Sequence, residues 1–320
     1  MRVIFMGTPD FAVGTLQAIV EAGHDVAAVV TQPDKPKGRG GAVAMSPVKE
    51  KALEYGLTVL QPQKARDEAF VEELRGLAPD VIVVVAFGQL LPENIINMPK
   101  YGCINVHASL LPKYRGASPI QWAVIDGCEY SGVTTMQMDA GLDTGDILLS
   151  ERVKLEPKET GGSLFDRLSS VGAQLLVKTL EGVQNGTVQP VKQRDEDSSY
   201  VKMIDKSFGI IDFEKAAVYI ERLIRGLNPW PSAFTHINGK ILKIWDADAI
   251  EADNQEELGT EITDKKTDCG TIISVDKKSF TVQCGEGILK VNEVQLEGKK
   301  RMKTEDFLRG CKIEPGQKLG

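Results

Sequence analysis

Two polar side chains interrupt an otherwise apolar run, Cys103-Ile104-Asn105-Val106-His107. On a strand, residues two apart share a face, so Asn105 and His107 project together while Ile104 and Val106 point the other way. The chain has only 3 histidines, which makes one at the end of such a run conspicuous. His24, in Ala22-Gly23-His24-Asp25, reads as a surface turn residue after a helix, and His236 lies in a strand without a partner acid in a recognisable motif. A packing role is the ordinary explanation for a strand histidine; the amide beside His107 on the same face turns the reading toward chemistry. The second candidate is the loop Asp139-Ala140-Gly141-Leu142-Asp143-Thr144-Gly145-Asp146. Its acids miss the EF-hand ligand spacing, and alone it reads as a solvated hairpin turn. An amide donor, an imidazole and a carboxylate that orients it would together form an acyl-transfer site.

The elements that must position these groups follow from pattern. Val3–Met6, Val26–Val30, Thr58–Leu60 and Val81–Ala86 read as short β-branched strands. Helical spacing falls between them at Phe11–Glu21, Pro47–Tyr55 (capped by Ser46) and Asp67–Arg75. Cys103–His107 continues the series with a helix near Ala117–Ile125; Thr134–Met138 and Asp146–Val153 read as a strand pair, and a long helix lies within Thr160–Glu181. Strand–helix alternation with nearly continuous apolar strands predicts a parallel, doubly wound sheet in an α/β domain over residues 1–183. Residues 184–207 are polar and irregular, and read as a linker. Over 208–320, Phe213–Arg225 has helical spacing, ending before Asn228-Pro229-Trp230-Pro231. Ile241–Trp245, Thr271–Val275, Phe280–Cys284 and Ile288–Val294 then alternate on a two-residue period. A small antiparallel barrel of the OB type fits that spacing, as would a sandwich of similar size.

Composition narrows the classes further. The 320 residues are 42% hydrophobic and 26% charged, the balance of a globular protein rather than of a disordered or fibrous one. No apolar run approaches the ~20 residues that span a bilayer, and Met1-Arg2-Val3-Ile4-Phe5 leads straight into a strand without a signal-peptide pattern. A cytoplasmic location is expected. The cysteines Cys103, Cys128, Cys269, Cys284 and Cys311 form no C-x-x-C pair, so buried free thiols are expected rather than a zinc site or a disulfide framework. The net charge of -7 argues against bulk electrostatic coating of nucleic acid, and residues 208–320, with 17 basic and 19 acidic residues, are not basic either. Any polyanion must meet clustered side chains. The first turn, Gly7-Thr8-Pro9-Asp10, is not G-x-G-x-x-G, and no P-loop pattern occurs. Dinucleotide and ATP chemistry therefore lose ground, and a ligand is expected beyond the carboxyl ends of the strands.

Asn105-x-His107, followed by Ser109-Leu110-Leu111-Pro112-Lys113-Tyr114-Arg115-Gly116 and then Asp143, is similar to the folate-dependent formyltransferases. The resemblance implies a Rossmann-like domain that transfers a formyl group from 10-formyltetrahydrofolate to an amine without a metal. It also implies catalytic roles for Asn105, His107 and Asp143, with Ser109, Leu110, Leu111 and Pro112 lining the folate site. A flat pterin asks for an apolar wall with backbone hydrogen bonds. Ala86-Phe87-Gly88-Gln89-Leu90-Leu91-Pro92 fits one, through Phe87, Gly88 and Leu91, although strand-end packing would explain it equally.

Other segments point to the acceptor. Gly7-Thr8-Pro9-Asp10-Phe11-Ala12, Thr31-Gln32-Pro33-Asp34-Lys35-Pro36 leading into Gly38-Arg39-Gly40, and Asn228-Pro229-Trp230-Pro231 resemble the members of that superfamily that formylate initiator methionyl-tRNA. Where that group often carries lysines after G-R-G, Gly41-Ala42-Val43-Ala44 stand here. Lys35, Lys37 and Arg39 would form one tRNA-binding loop, and Lys299, Lys300, Arg301 and Lys303 a second basic cluster in the barrel; each would otherwise be a solvated surface. A monomer is expected. The alternatives are a formyltransferase acting on an amino sugar nucleotide or glycinamide ribonucleotide, a 10-formyltetrahydrofolate hydrolase, and a non-enzymatic RNA-binding module.

Overall fold

The computed structural model describes residues 1–37, 42–250 and 267–320. The chain opens with β1 (Arg2–Gly7), α1 (Asp10–Glu21), β2 (Asp25–Val30), β3 (Lys35–Lys37), β4 (Ala42–Ala44), α2 (Pro47–Glu54), β5 (Val59–Leu60) and α3 (Glu68–Gly76). It continues with β6 (Val81–Val85), α4 (Glu93–Ile96), β7 (Cys103–His107), β8 (Arg115–Gly116), α5 (Pro119–Ile125), β9 (Tyr130–Gln137), β10 (Ile147–Lys154), α6 (Gly161–Asn185) and β11 (Tyr200–Val201). Last come α7 (Ala217–Gly226), β12 (Ala233–Ile237), β13 (Lys240–Ile250), β14 (Ile272–Val275), β15 (Phe280–Gln283), β16 (Ile288–Leu296), β17 (Met302–Lys303) and α8 (Thr304–Gly310).

Seven strands form one mixed sheet in the order β10-β9-β7-β6-β1-β2-β5. Neighbours from β7 to β5 are parallel, while β9 and β10 are antiparallel to their neighbours at one edge. This is a Rossmann-like, parallel-dominated arrangement. Its inner strands are apolar from end to end because both faces are covered: every residue of β6 is buried. On one face Ile4, Ile82 and Val84 pack with Phe70, Val71 and Leu74 of α3; on the other, Val106 and Val133 lie against Gly172 of α6. The turn from β1 into α1 closes only on glycine, since a Cβ on Gly7 would lie 2.8 Å from the Ala12 Cβ. The cap read for α2 is present: Ser46 Oγ accepts the Lys49 N–H at 3.1 Å, with Pro47 in the first turn. Such a cap stabilises a helix by about 1 kcal/mol.

The chain divides into two compact units. Met1–Pro119, Tyr130–Lys154 and Phe165–Lys202 form the first; Ile120–Glu129, Leu155–Leu164 and Met203–Gly320 form the second. In the second, an antiparallel sheet runs β12-β13-β16-β15-β14, with β17 on β16. Ile220, Leu223 and Ile224 of α7 share a core with Leu242, Phe280 and Val291 of the strands. Helix α7 starts at Ala217, later than its apolar spacing from Phe213 predicts. The carbonyls of Phe213 and Lys215 accept the Gly285 N–H, and the Ala217 N–H donates to Glu286. That strand turn therefore engages the backbone groups an earlier helical turn would need. Helix α8 escaped the sequence reading because its polar string buries only Thr304 and Phe307.

Of the five thiols expected to be buried, Cys103 and Cys284 are, and desolvation pushes both up to about 12. Cys128, Cys269 and Cys311 are only partly covered, because they sit at helix ends and a turn rather than inside strands. Among the described residues no helix is long and apolar enough to cross a membrane.

Candidate active site

Strand β7 carries Asn105 and His107 on the face opposite Val106, at the carboxyl end of the parallel strands. Cys103, on the same face, is covered by α4, its thiol donating to the Ile95 carbonyl. That cover ends lower on the strand, and the two polar groups emerge above it. Asn105 is half-buried and its amide has no hydrogen-bond partner among the described residues. His107 is buried, and its Nε2 lies 2.9 Å from the Tyr114 carbonyl. A carbonyl only accepts, so Nε2 carries the proton and Nδ1 is the ring nitrogen left to exchange one.

Nδ1 faces Asp143, whose Oδ2 is 3.7 Å away. Chain direction makes this contact unobvious. The connection from β9 to β10 leaves the sheet beside the start of β7, where the Met138 N–H donates to the Cys103 carbonyl. It must then double back over the sheet face to bring Asp143 to the far end of that strand. Asp143 takes a φ of +55°, which strains a side-chain-bearing residue. The loop is held from within, Asp139 Oδ1 accepting the Gly141 N–H at 2.9 Å and the Thr144 hydroxyl at 2.7 Å. Asp143 Oδ2 itself accepts the Gly116 N–H at 2.8 Å.

Beneath the loop lies a polar cluster that sequence reading did not find. Arg115, buried to 1% exposure, donates from Nε and Nη2 to Gln193 Oε1 at 3.1 and 2.9 Å. The same guanidinium donates from Nη1 to Asp195 and to the Tyr200 hydroxyl, each at 3.0 Å. Gln193 Nε2 in turn donates to the carbonyls of Asp143 and Gly145, at 2.9 and 2.7 Å. Strands β8 and β11 pair above this cluster, and Ser199 Oγ accepts the Tyr114 N–H at 2.9 Å. Gln193 and Ser199 sit in a polar, non-periodic stretch, and nothing in their spacing marks them. Arg115 stood inside a recognised string without an evident reason to be buried.

The other singled-out residues are placed as follows. Ser109 donates its hydroxyl to the Lys113 carbonyl at 2.7 Å, and its own carbonyl accepts from Thr134. Leu111 is buried, its N–H on Thr134 Oγ1, and Pro112 offers its carbonyl to Ser199. Leu110 packs where a Cβ on Gly132 would meet it at 2.5 Å. The loop after β6 holds Phe87 buried, with its carbonyl accepting from Thr8 Oγ1 and Gln32 Nε2, Gly88 at a φ of +86° and Leu91 half-buried. A cavity of about 480 Å³ lies at the amino end of β7, lined by Ile96, Pro99, Tyr101, Gln137 and Met138 among others; none of Asn105, His107 and Asp143 borders it.

Strands β3 and β4 pair as a hairpin that carries Lys35, exposed, and Lys37; Arg39 lies outside the described residues. Lys49 Nζ fastens the base of this hairpin, donating to Asp34 at 2.6 Å and Gln61 at 2.7 Å. Those hydrogen bonds, from Lys49 first and Gln61 second, hold the Asp34 carboxyl below its ordinary range. In the second unit Lys299, Lys300 and Lys303 are exposed and make no ion pair among the described residues. Arg301 is engaged, paired with Glu293 and stacked 4.7 Å above the Trp245 ring.

Sequence comparison places the molecule. Residues 1–180 match the formyl transferase model, and 203–312 that of the formyl transferase C-terminal domain. The chain belongs to the formyl transferase family. It is 71% identical over 320 residues, all of both chains, to the methionyl-tRNA formyltransferase of Lachnospira eligens. To that of Agathobacter rectalis it is 57% identical over 99% of this chain and 98% of the relative. The solved structure of WlaRD, a sugar 3N-formyl transferase, shares the fold with a TM-score of 0.65 at 19% identity, over 94% of this chain and 99% of that one.

Proposed function

We propose that the chain transfers the formyl group of 10-formyltetrahydrofolate to the α-amino group of methionine on initiator methionyl-tRNA. The observation that carries the chemistry is the His107–Asp143 pair, 3.7 Å apart, with the outer ring nitrogen anchored on the Tyr114 carbonyl; the acceptor is read from the relatives that match the chain along its whole length. Bound 10-formyltetrahydrofolate supplies the formyl carbon and leaves as tetrahydrofolate once its carbon–nitrogen bond breaks. The loop after β6 offers the pterin Gly88, exposed and with room at its Cβ position, and half-buried Leu91, while Phe87 is packed into the core beneath them. Ser109, Leu110, Leu111 and Pro112 shape that side through packing.

The residues then divide the work. Asn105 donates its free amide N–H to the formyl oxygen as negative charge develops there. The neutral amine forms the new carbon–nitrogen bond and loses one proton, which Asp143 accepts directly or through water. His107 Nδ1, bare in the resting pair and facing that carboxylate, takes this proton from Asp143 and hands it to the departing folate nitrogen, which thus gains what the amine has lost. None of these steps requires a metal or a redox cofactor.

Residues 1–183 carry folate and chemistry and residues 208–320 an OB-type barrel for tRNA; of the stretch 184–207 between them, the part up to Lys202 packs with the first unit and supports its site. Lys35, Lys37 and Arg39 grip the acceptor end, and Lys299, Lys300, Arg301 and Lys303 meet phosphates. The protein works as a cytoplasmic monomer. Incubation with 10-formyltetrahydrofolate and charged initiator tRNA, charged elongator tRNA, an amino sugar nucleotide or no acceptor tests the reading. Formylation of initiator methionyl-tRNA alone is expected; turnover with the sugar amine, or release of formate with no acceptor, would overturn it.

A further inference from the structure

We infer that Gln193 is a positioning residue for the reaction, holding the Asp143 carboxylate against His107. The inference rests on the catalytic reading of that pair. Asp143 adopts a φ of +55° on a loop that has doubled back over the sheet, a conformation that persists only where its surroundings impose it. The side-chain amide of Gln193 supplies that constraint. Its Nε2 bridges the carbonyls of Asp143 and Gly145, on either side of Thr144, at 2.9 and 2.7 Å. The space is tight, since a Cβ on Gly145 would lie 1.7 Å from the Gln137 carbonyl oxygen.

The amide is itself oriented. Its Oε1 accepts two hydrogen bonds from Arg115, and because a guanidinium only donates, Nε2 must point at the loop. Arg115 is 1% exposed, and its neighbour Gly116 donates to the Asp143 carboxylate. One buried cation thus fixes the carboxylate twice, through its chain neighbour and through Gln193. The irregular segment bearing Gln193 also serves the other partner. Val191 pairs with Ile147 in both directions, and Ser199 holds the Tyr114 N–H, whose residue's carbonyl anchors His107. Residues 191–199 therefore strap down the acid and the imidazole together.

Two variants separate this role from simple stability. Gln193→Glu keeps both bonds from Arg115, now as an ion pair, but turns an acceptor oxygen toward the two carbonyls, so the loop should move away while the fold is retained, with a melting temperature no lower than that of Gln193→Leu. Gln193→Leu removes both sets of bonds. In both, kcat should fall about 10–100-fold, the loss expected when a reacting group is misplaced by about 1 Å, with KM for each substrate within about threefold. In a double-mutant cycle with Asp143→Asn, read in single turnovers, Gln193→Glu should add almost no further loss, because it acts through that carboxylate. A kcat within twofold of the parent, or losses that simply multiply in the double variant, would refute the role. Full activity in Asp143→Asn alone would instead remove the catalytic reading on which it rests, and the two failures are told apart by that single variant.

Discussion

Asn105 offers the clearest chemistry at the residue scale because its amide, beside His107 on one strand face, has no hydrogen-bond partner among the described residues. A half-buried amide usually finds one, and Asn105 lies two residues before the carboxyl end of β7. Replacing it by Ala should cost about 3–4 kcal/mol of transition-state stabilisation, or about 10²–10³ in kcat, with folate affinity retained. His107→Ala should cost about 10²–10⁴ in kcat. Stopped-flow formyl transfer alongside equilibrium folate binding checks both, and unchanged turnover in either would take that residue out of the mechanism. The pairing of Asn105 with His107 was legible from spacing, because strand geometry is local. The anchoring of Nε2 on Tyr114 was not, since it depends on a turn seven residues later that bends back with Tyr114 at a φ of +59°.

Elements carry the groups to each other, and two loops do most of that work. In the Asp139–Asp146 loop, Gly145→Ala would force a methyl group into the Gln137 carbonyl. The loop must then open, so kcat should fall at least tenfold while the melting temperature moves little; circular dichroism with the formylation assay measures the two together. The β3–β4 hairpin depends on the Asp34–Lys49 clamp at its base. The Asp34 carboxyl is held below its ordinary value of 3.8 chiefly by hydrogen bonds from Lys49 and Gln61. A depressed folded value means the clamp's contribution is complete above that ordinary value and disappears as pH falls through the lower one. The urea midpoint of the parent should therefore exceed that of Asp34→Asn near neutrality, and the gap should close in acid; a gap independent of pH would contradict the clamp. Composition marked this hairpin as a basic Gly/Pro-rich loop, but the clamp joins Asp34, Lys49 and Gln61 from three separate stretches of chain and has no local signature.

For the whole molecule, the net charge of -7 means that tRNA must be met by clusters rather than by a general field. If Lys299 and Lys300 touch phosphates, replacing both by Ala should flatten the slope of log KM for tRNA against log salt by about 1–2 and leave KM for folate unchanged. An unaltered slope would assign them to solvent. Arg301 is a poorer candidate for that test, since Glu293 and Trp245 already engage it. The amino-acid sequence by itself determined the alternation of strands and helices, the parallel sheet with its buried valines, and the shared face of Asn105 and His107. Each of these follows from periodicity within a few residues, where backbone geometry alone decides which way a side chain points. Only the tertiary structure decided that Asp143 reaches His107 from a loop that starts at the wrong end of the strand. It also decided that a buried arginine and a glutamine from a featureless stretch hold it there. Hydrogen bonds between groups tens of residues apart depend on how the chain returns on itself, and no local pattern encodes that return.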